Sequence, residues 1–240
     1  MELNYLRFDE IDSTNLYLKR NYDELPNWTI VQANFQTAGR GRFSRTFEVD
    51  KGKGMIESIL LKDDFAFDNH ELLSILTGVA LCKTLENYGF NPMIKWPNDV
   101  LLNGKKVSGI LLESVINEKM EALIIGIGVN INQDKFSEEL NNAISLKMIS
   151  NKEFSVDEFS REFNETFRTM YENFMVINEK GFIDYVKNKN YFKDKFTYAY
   201  VKGAQKKVKV LDILDNGHLL VNDGTNDIEI ESGEITFHNC

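Results

Sequence analysis

The spacing of apolar and polar positions predicts a β-sheet with helices packed against it in the first 130 residues. Strand-forming residues cluster at 28–35 and 55–61, and four further short apolar runs lie between residues 93 and 129. The pair Asn103-Gly104 supplies a tight turn between two of those runs. The predicted strands are 28–35, 55–61, 93–96, 99–103, 107–114 and 121–129.

Three segments have the periodicity of helices. Asp12-Ser13-Thr14-Asn15 precedes an apolar run and predicts a capped start to a short helix. Apolar residues also recur at helical spacing through 70–89 and through about 156–187. The last segment carries large side chains every three or four positions, a stripe more typical of core packing than of a cofactor site: Phe159, Phe163, Phe167, Met170 and Phe174.

The character of the chain changes after Asn190. Short β-rich pieces alternate with turns at Asn216-Gly217 and Asp223-Gly224, which fits a small β-barrel appended to the main domain. The pieces are 196–201, 208–214, 219–221 and 228–230. We therefore predict an α+β protein with domains at 1–190 and 191–240, packed together because no proline-rich linker divides them.

The composition and charge of the chain disfavour several classes of function. The 240 residues carry a net charge of −9, which disfavours binding to DNA or to an anionic membrane surface. No apolar run reaches the roughly 18–20 residues that span a bilayer, and the N-terminus lacks a signal peptide pattern. Cys82 and Cys240 are too few for a disulfide framework, and three scattered histidines have no metal-binding spacing. We expect a cytoplasmic protein.

A basic, glycine-containing segment at 35–47 is the first candidate for chemistry. It concentrates arginines and glycines in an otherwise acidic chain. Glycines allow a close backbone approach to a ligand, and guanidinium groups bind phosphate oxygens in pairs, so the segment suits a polyphosphate. A solvated basic loop explains the composition equally well. The segment contains neither a P-loop nor a dinucleotide-binding glycine pattern.

Two other segments have both a functional and a structural explanation. Lys95 ends a strand beside Trp96 and Pro97, a rigid setting that would hold a cation against a carboxylate or phosphate. Alternatively, the tryptophan belongs to the core and the lysine is solvated. Glycines inside apolar strands mark close approach of a ligand or of another backbone, or β-bulges and tight packing; they are Gly109, Gly126 and Gly128.

Taken in order, these segments resemble the biotin–protein ligase family. The motifs are S-T-N at 13–15, F-Q-T-A-G-R-G-R at 35–42, K-W-P-N-D at 95–99, S-G-I-L-L-E at 108–113 and G-I-G-V-N at 126–130. The β-rich end, with Gly233-Glu234-Ile235 in a last strand, is similar to that family's C-terminal domain. The resemblance implies a central mixed β-sheet with packed helices (class II synthetase-like, biotin–lipoate ligase fold) plus a small C-terminal SH3-like β-barrel.

The resemblance also implies site residues. Arg42 and Lys95 would be catalytic. Biotin would be bound by Ser13, Thr14, Asn15, Gln36, Gly39, Arg40, Gly41, Arg42, Lys95 and Gly109. ATP would be bound, together with Mg²⁺, by Arg42, Arg45, Phe47, Lys95 and Asn130.

The implied reaction has two steps. Biotin and ATP form biotinyl-5′-AMP, and the biotinyl group is then transferred to a lysine of a biotin carboxyl carrier domain of a carboxylase. A homodimer formed by extending the sheet is compatible with the family. Only twelve residues precede Ser13, so we expect the single-function form without the DNA-binding domain of the repressor-type members.

The sequence departs from the family at two positions, and other functions are open. Phe47 stands where tryptophan is common, and Ser44 where glycine is common. The nearest rival is a lipoate or octanoate ligase or transferase. A binding module without turnover and a plain structural domain are the others; the first leaves Arg42 and Lys95 unexplained, and the second the ordered motifs.

Overall fold

The computed structural model describes residues 1–201, 204–231 and 237–238. Its main feature is a seven-stranded sheet with strand order β1-β2-β3-β7-β6-β5-β4. The strands are β1 (Asn4–Phe8), β2 (Thr29–Ala33), β3 (Gly54–Leu61), β4 (Met93–Lys95), β5 (Asp99–Leu102), β6 (Lys105–Ile116) and β7 (Met120–Asn130). β1 and β2 are parallel and the other pairs antiparallel, so the predicted mixed sheet is confirmed.

The six strands predicted in this part of the chain are all present, with ends shifted by a few residues. The edge strand β1 was not predicted. Its five residues alternate between half-buried and exposed positions, so they carry no continuous apolar run. Parallel pairing with β2, across the intervening helix, holds this strand in the sheet.

Among the described residues, six α-helices accompany the strands: α1 (Thr14–Asn21), α2 (Asp64–Asp68), α3 (His70–Asn87), α4 (Leu146–Ser150), α5 (Val156–Ile177) and α6 (Gly181–Lys189). α1 begins as predicted at an N-cap serine, Ser13, whose side chain accepts from the Leu16 N–H. The helical pattern predicted for about 156–187 is confirmed, but it is divided between two helices, α5 and α6. Asn178 adopts a left-handed conformation that ends α5, and α6 starts after the polar residues 178–180.

The aromatic stripe of α5 packs in the core, as predicted. Phe159, Phe163, Phe167 and Phe174 are at most 1% exposed, and Tyr171 continues the row. This face of α5 packs against α3 and joins the apolar face of the main sheet in one hydrophobic cluster. The two helices therefore cover one face of the sheet.

A second sheet is formed by β8 (Phe196–Val201), β9 (Ala204–Ile213), β10 (Leu219–Asn222), β11 (Asp227–Ile230) and β12 (Phe237–His238), in the order β11-β10-β9-β8-β12. The predicted C-terminal strands are thus present. Their inward side chains, such as Val208 and Val221, belong to the same hydrophobic cluster as the main sheet. Gly233-Glu234-Ile235, Cys240 and the side chain of His238 lie outside the described residues.

Hydrogen bonds from the turn between β9 and β10 connect the second sheet to the main domain. The Trp96 indole N–H donates to the Gly217 carbonyl oxygen at 2.9 Å. The His218 ring lies between two carboxylates, with Nε2 2.9 Å from Glu71 of α3 and Nδ1 2.7 Å from Glu229 of β11. The expected packing of the two parts is therefore observed. In the described part of the chain, no helix is both long and apolar enough to cross a bilayer.

The His218 contacts predict a pH-dependent stability. Burial lowers the pKa of His218, but its bonds to Glu71 and Glu229 outweigh burial and raise that pKa above the usual value. Because the pKa of His218 is higher in the folded state than in the unfolded state, protonation of this histidine stabilises the fold. The stabilisation is complete below the unfolded-state pKa of about 6.5, and it is lost as the pH rises through the folded-state pKa. We expect His218→Gln to lower the urea midpoint more at about pH 6 than at about pH 9.

The matched control is His70→Gln. His70 is exposed, and its Nδ1 lies 3.0 Å from the Phe67 carbonyl oxygen rather than beside a carboxylate. Urea unfolding of both variants and the wild type across this pH range measures the effect. An equal loss for His218→Gln at both pH values would contradict a charged bridge at this turn.

Candidate functional site

The pairing register brings site residues from five strands into one row on one face of the main sheet. From β4 to β3, the row contains Lys95, Asp99, Gly109, Gly128 and Ile56. Directly paired residues share a face of a sheet, so their side chains point to the same side. In the adjoining row, Gly126 of β7 pairs with Ser58 of β3, two positions along each strand. The glycines leave a shallow floor between the polar groups.

Each strand glycine faces a side chain of the protein itself. A β-carbon at Gly126 would collide with the Asn15 amide, and one at Gly128 would lie 2.5 Å from two ring atoms of Phe47. A β-carbon at Gly109 would lie 2.9 Å from the Lys106 ammonium nitrogen. The groups that approach these glycines are side chains from α1, the arginine loop and β6, rather than another backbone, which corresponds to the tight packing given above as the alternative.

The S-T-N turn forms a neutral hydrogen-bonding end of the site. The Gln36 side-chain oxygen accepts from the Thr14 backbone N–H at 2.7 Å and from the Thr14 hydroxyl at 3.0 Å. Ser13, Thr14 and Asn15 are all buried, because α1 starts directly on the floor of the sheet. The site therefore presents hydroxyl and amide groups in fixed positions at this end.

Asn15 is held at both ends of its amide. Its oxygen accepts from the Ser58 hydroxyl at 2.5 Å, and its nitrogen donates to the Glu113 carboxylate at 2.9 Å. Glu113 also forms an ion pair with Arg40 at 3.1 Å. One carboxylate thus connects the S-T-N turn to the arginine loop, a link that the sequence analysis did not predict.

The loop over residues 39–47 closes on itself through its backbone. The Gly41 N–H donates to the Arg45 carbonyl at 2.7 Å, and the Phe47 N–H donates to the Gly39 carbonyl at 3.4 Å. A β-carbon at Gly39 would collide with the Phe47 carbonyl oxygen, so this closure requires glycine there. Phe43 has a left-handed φ of 55° and is 57% exposed.

Several cations of the site are partly removed from water. Burial lowers the pKa of Lys95, with Lys106 and Arg45 adding to the effect and Asp99 opposing it. Burial likewise lowers the pKa of Arg42. Desolvated cations of this kind bind anions more strongly than exposed ones, because less water competes for the charge.

Arg42 and Lys95 each lie beside a residue outside the predicted site. Arg42 donates to the Asn98 side-chain oxygen at 3.2 Å, and Asn98 donates to the Ile110 carbonyl at 2.9 Å. Lys95 lies with its ammonium 5.9 Å from the ring centre of Phe192. Asn98 therefore positions Arg42, and Phe192 lies near Lys95; the sequence analysis assigned neither of these two neighbours to the site.

Lys106 is a further basic residue of the site that was not predicted. It forms a 2.6 Å ion pair with Asp99. Strict alternation along β6 would place Lys106 and Gly109 on opposite faces, since they are three residues apart. A break in the β5–β6 register between Val100 and Leu101 changes this alternation and brings the lysine to the site face.

Asn130 ends β7 at the far side of the site. It is 3% exposed, and its side-chain N–H donates to the Ile144 carbonyl at 3.2 Å. Its side-chain oxygen is buried without a hydrogen-bond partner among the described residues. A buried acceptor left open in a cavity wall is a group that a bound cation or donor would satisfy.

A cavity of about 670 Å³ connects these groups. Its walls contain every residue proposed for the site except Gly39: Ser13, Thr14, Asn15, Gln36, Arg40, Gly41, Arg42, Arg45, Phe47, Lys95, Gly109 and Asn130. Gly39 lines an adjoining cavity of about 540 Å³ under the same loop. Across the described residues, no three His, Cys, Asp or Glu side chains form a metal-binding cluster.

Comparison with known proteins shows which family the chain matches. A sequence model of the biotin/lipoate A/B protein ligase family matches residues 7–130. The chain is 43% identical over 130 residues to the bifunctional ligase/repressor BirA of Bacillus spizizenii, covering 52% of this chain and 40% of that protein. It is 38% identical over 125 residues to the biotin–[acetyl-CoA-carboxylase] ligase of Paracoccus denitrificans, covering 50% of this chain and 51% of the relative. The chain therefore spans only about 40% and 51% of the length of these two relatives.

Structural similarity extends further along the chain. The biotin protein ligase from Aquifex aeolicus, solved in complex with biotin and ATP, superimposes with a TM-score of 0.88 at 28% identity. The superposition covers 99% of each chain. The second sheet is therefore included in the similarity, beyond the 7–130 range of the sequence match.

Proposed function

Because the chain belongs to the biotin/lipoate A/B protein ligase family, we propose that it is an ATP-dependent biotin–protein ligase of the cytoplasm. One observation carries the proposal: a single cavity joins the neutral hydrogen-bonding S-T-N turn to a group of partly desolvated cations. A ligand with a polar uncharged head and an anionic tail fits such a cavity. Its volume of about 670 Å³ lies in the range of small-molecule sites.

Biotin would occupy the end near α1. The ureido ring presents both donors and an acceptor, which the side chains of Ser13, Thr14 and Gln36 complement. Asn15 would act mainly by orientation, since its amide is already engaged by Ser58 and Glu113. The apolar remainder of biotin would cross the glycine floor, where Gly109 belongs to the central row.

The biotin carboxylate would then point toward the cations. We propose that Lys95 holds both the carboxylate and the α-phosphate of ATP, with Lys106 beside it. Arg40 and Gly41 would close the loop over biotin. Neutralising two anions that must approach each other removes a large electrostatic barrier to their reaction.

ATP would occupy the end near Asn130. Arg42 and Arg45 would bind its phosphates, and the Phe47 ring would offer a face to adenine. Mg²⁺ binds oxygen ligands and is commonly held mainly by the phosphates and water. The open side-chain oxygen of Asn130 fits that role, and the ion would supply additional charge neutralisation of the phosphates.

The proposed reaction proceeds in two steps. A biotin carboxylate oxygen bonds to the α-phosphorus, the bond to the β-phosphate oxygen breaks, and pyrophosphate leaves. The ε-amine of an acceptor lysine then bonds to the activated carbonyl carbon, AMP leaves, and the amine loses a proton. The acceptor would be a biotin carboxyl carrier domain.

The proposal extends to the architecture. Residues 1–190 would form the catalytic domain, and 191–240 a small domain of SH3-like type. In the described part of the chain, the β4 edge of the main sheet is covered at Ile94 by residues 190–191. A homodimer that extends the sheet would therefore form through the other edge, β1.

Mass spectrometry of the acceptor tests the activity directly. The protein is incubated with Mg-ATP and a biotin carboxyl carrier domain, with biotin in one tube and lipoate in another. We expect a mass increase of one biotinyl group in the biotin tube alone. An increase with lipoate would favour the lipoate ligase reading, and none with a competent acceptor would favour a binding module.

Glu113→Gln should weaken biotin retention without abolishing catalysis. The variant keeps an oxygen acceptor for Asn15 but loses the charge that pairs with Arg40. Because the Arg40 side chain of this pair is 44% exposed, we expect a modest effect, with the KM for biotin rising about threefold to tenfold. Faster loss of biotinyl-5′-AMP should accompany it, measured by release of labelled adenylate.

The control for this prediction is Glu118→Gln. Glu118 is exposed in the turn between β6 and β7, outside the cavity walls. The substitution Glu118→Gln removes one negative charge from the same hairpin, so it controls for the change in net charge that Glu113→Gln also causes. Equal behaviour of the two variants would show that Glu113 does not position the loop.

A further inference from the structure

A glutamate is buried on the side of the main sheet that faces away from the cavity, behind its biotin end. Glu57 of β3 is only 1% exposed. Its neighbours Ile56 and Ser58 point the opposite way, toward the site, because successive residues of a strand alternate between the two faces of a sheet. The proposed catalytic steps do not use the Glu57 side chain.

Three hydrogen bonds converge on one oxygen of the Glu57 carboxyl group. Oε2 accepts from the Ser160 hydroxyl at 2.6 Å, from the Gln32 amide at 3.0 Å and from the Asn164 amide at 3.3 Å. Gln32 is the partner of Glu57 in the pairing of β2 with β3, and the other two residues lie one turn apart on α5. The carboxyl group therefore joins α5 to the sheet.

Two oxygens of this cluster have no donor among the described residues. They are Oε1 of Glu57 and the side-chain oxygen of Asn164, and both are buried. Each belongs to the same carboxyl–amide pair, whose N–H bond to Oε2 is already made. One proton on Oε1 would turn that oxygen into a donor and would give the Asn164 oxygen its partner. A second hydrogen bond would then close the pair.

The surroundings favour the neutral acid over the carboxylate. Burial raises the pKa of Glu57 and outweighs the hydrogen bonds from α5 and β2, which lower it. The residues that pair with Glu57 on the two neighbouring strands are Gln32 and Ile127, and neither carries a charge. A buried carboxylate needs a close positive partner, which these strands do not provide.

The charged groups on this side of the sheet belong to β1 and α5. Arg7 of β1 attracts the carboxylate, but its side chain is 60% exposed and pairs with Asp157 of α5 at 3.5 Å. Water and Asp157 therefore weaken its effect on Glu57. Tyr5 of β1 lies in the field of Glu57 and of two further residues of α5, Glu165 and Arg168, whose charges are opposite.

We propose that Glu57 carries a proton in the folded protein and donates it to the Asn164 side-chain oxygen, and that this neutral pair positions β3 beneath the S-T-N turn. The second part of this inference rests on the proposed ligase function. Ser58 is the link to the site, since its hydroxyl lies 2.6 Å from the Thr14 hydroxyl and 2.5 Å from the Asn15 oxygen. An ionised Glu57 would repel the Asn164 oxygen and would shift the strand that carries Ser58.

The pair should therefore lose its effect at alkaline pH. An acid whose folded-state pKa lies above its unfolded-state value of about 4.3 stabilises the fold while it is protonated. This contribution is complete below the unfolded-state pKa and is lost as the pH rises through the folded-state pKa. Binding of biotin against the S-T-N turn should weaken over the same range.

The test is Glu57→Gln in the full chain, because glutamine has the shape of the protonated acid and cannot ionise. We expect the urea midpoint of the wild type to fall relative to that of the variant between about pH 6 and about pH 9. Both proteins keep His218, so its contribution cancels. The matched control is Glu165→Gln, which removes an exposed carboxylate of α5 next to Asn164.

The kinetics of adenylate formation separate positioning from catalysis. The ratio of the wild-type KM for biotin to that of Glu57→Gln should rise by about threefold or more over this pH range. The ratio of their kcat values at saturating biotin and ATP should stay constant, because Glu57 does not touch the reacting atoms.

Infrared spectroscopy detects the proton itself. The C=O stretch of a protonated carboxyl group is separate from the bands of a carboxylate and shifts in D2O, so it is recognisable in the wild type alone. At about pH 7, the difference spectrum of wild type and Glu57→Gln should contain this band. Asn164→Ala should keep the band but move it to higher frequency, because the acid loses its acceptor.

Three results would count against these inferences. Absence of the acid band from the folded wild type would overturn the proton on Glu57. A KM ratio that stays constant with pH, while the stability difference changes, would overturn the positioning of β3. Failure of the wild type to form biotinyl-5′-AMP at any pH would instead count against the ligase function, and the infrared and urea results would still decide whether Glu57 is protonated.

Discussion

Lys95→Ala should reduce biotinyl-5′-AMP formation by about 10²–10³-fold while the protein stays folded. That is the usual effect of removing one preorganised charge that stabilises a transition state. Lys95 ends β4 at the edge of the glycine floor, where burial lowers its pKa. The substitution would remove the ammonium from the place where two anions must meet.

Arg42→Ala should have a similar effect on the same half-reaction. Its guanidinium is also desolvated by burial, and it is held toward the cavity by Asn98. Because adenylate formation releases pyrophosphate without needing an acceptor, a pyrophosphate assay isolates this step. Single-turnover rates at saturating biotin and ATP separate a chemical defect from weaker binding.

The control for both variants is Lys119→Ala, an exposed lysine in the turn between β6 and β7. Thermal melting of each variant verifies folding, since neither Lys95 nor Arg42 belongs to the hydrophobic core. Near-normal pyrophosphate release by either variant would remove that residue from the proposed catalytic group.

The candidate site residues could be assigned from sequence because the ordered motifs resemble those of the ligase family, and the structure places nearly all of them around one cavity. The arginines beside glycines, or the lysine before a proline, would not have been enough alone, since a solvated loop or core packing explains each segment equally well. The elements that hold them were predictable as well, since the apolar runs of the main sheet are short and separated by turns. The Asn103-Gly104 turn, for example, lies where predicted, with both residues at positive φ.

The residues that support the motifs could not be predicted, because their roles depend on register. Ser58 reaches Asn15 only because β3 lies beside β7 and under α1. Glu113 meets Arg40 across a loop that has no periodicity of its own. Lys106 faces the site because of an irregularity in pairing that an alternating pattern conceals.

The same distinction explains which features of the fold the sequence analysis missed. The apolar pattern of 156–187 continues across the break between α5 and α6, so periodicity alone merges the two helices. The break depends on the left-handed backbone conformation of Asn178. Many asparagines do not adopt this conformation, so an asparagine in the sequence does not by itself mark the end of a helix. β1 was missed because its sequence has no continuous apolar run. Its residues are placed in the sheet by pairing with β2, which its own sequence does not show.

Gly128→Ala should impair ATP use by about 10- to 100-fold, the range associated with displacing a group by about 1 Å in an active site. The added β-carbon would lie 2.5 Å from two Phe47 ring atoms, so the ring must move away from the floor. We expect the KM for ATP to rise more than the KM for biotin, because Phe47 is proposed to contact adenine. The control is Gly78→Ala, where the new carbon would make an ordinary 3.6 Å contact with Ile110.

A double-mutant cycle identifies the cause of this effect. Phe47→Ala should weaken ATP use by itself, but it also removes the ring that collides with the new methyl group. If Gly128 matters because Phe47 packs on it, the effects of the two substitutions will be strongly non-additive, since they act on one contact. Additive losses would mean that the Gly128 surface binds a ligand directly, and Phe47 would then lose its proposed place over the floor of the site.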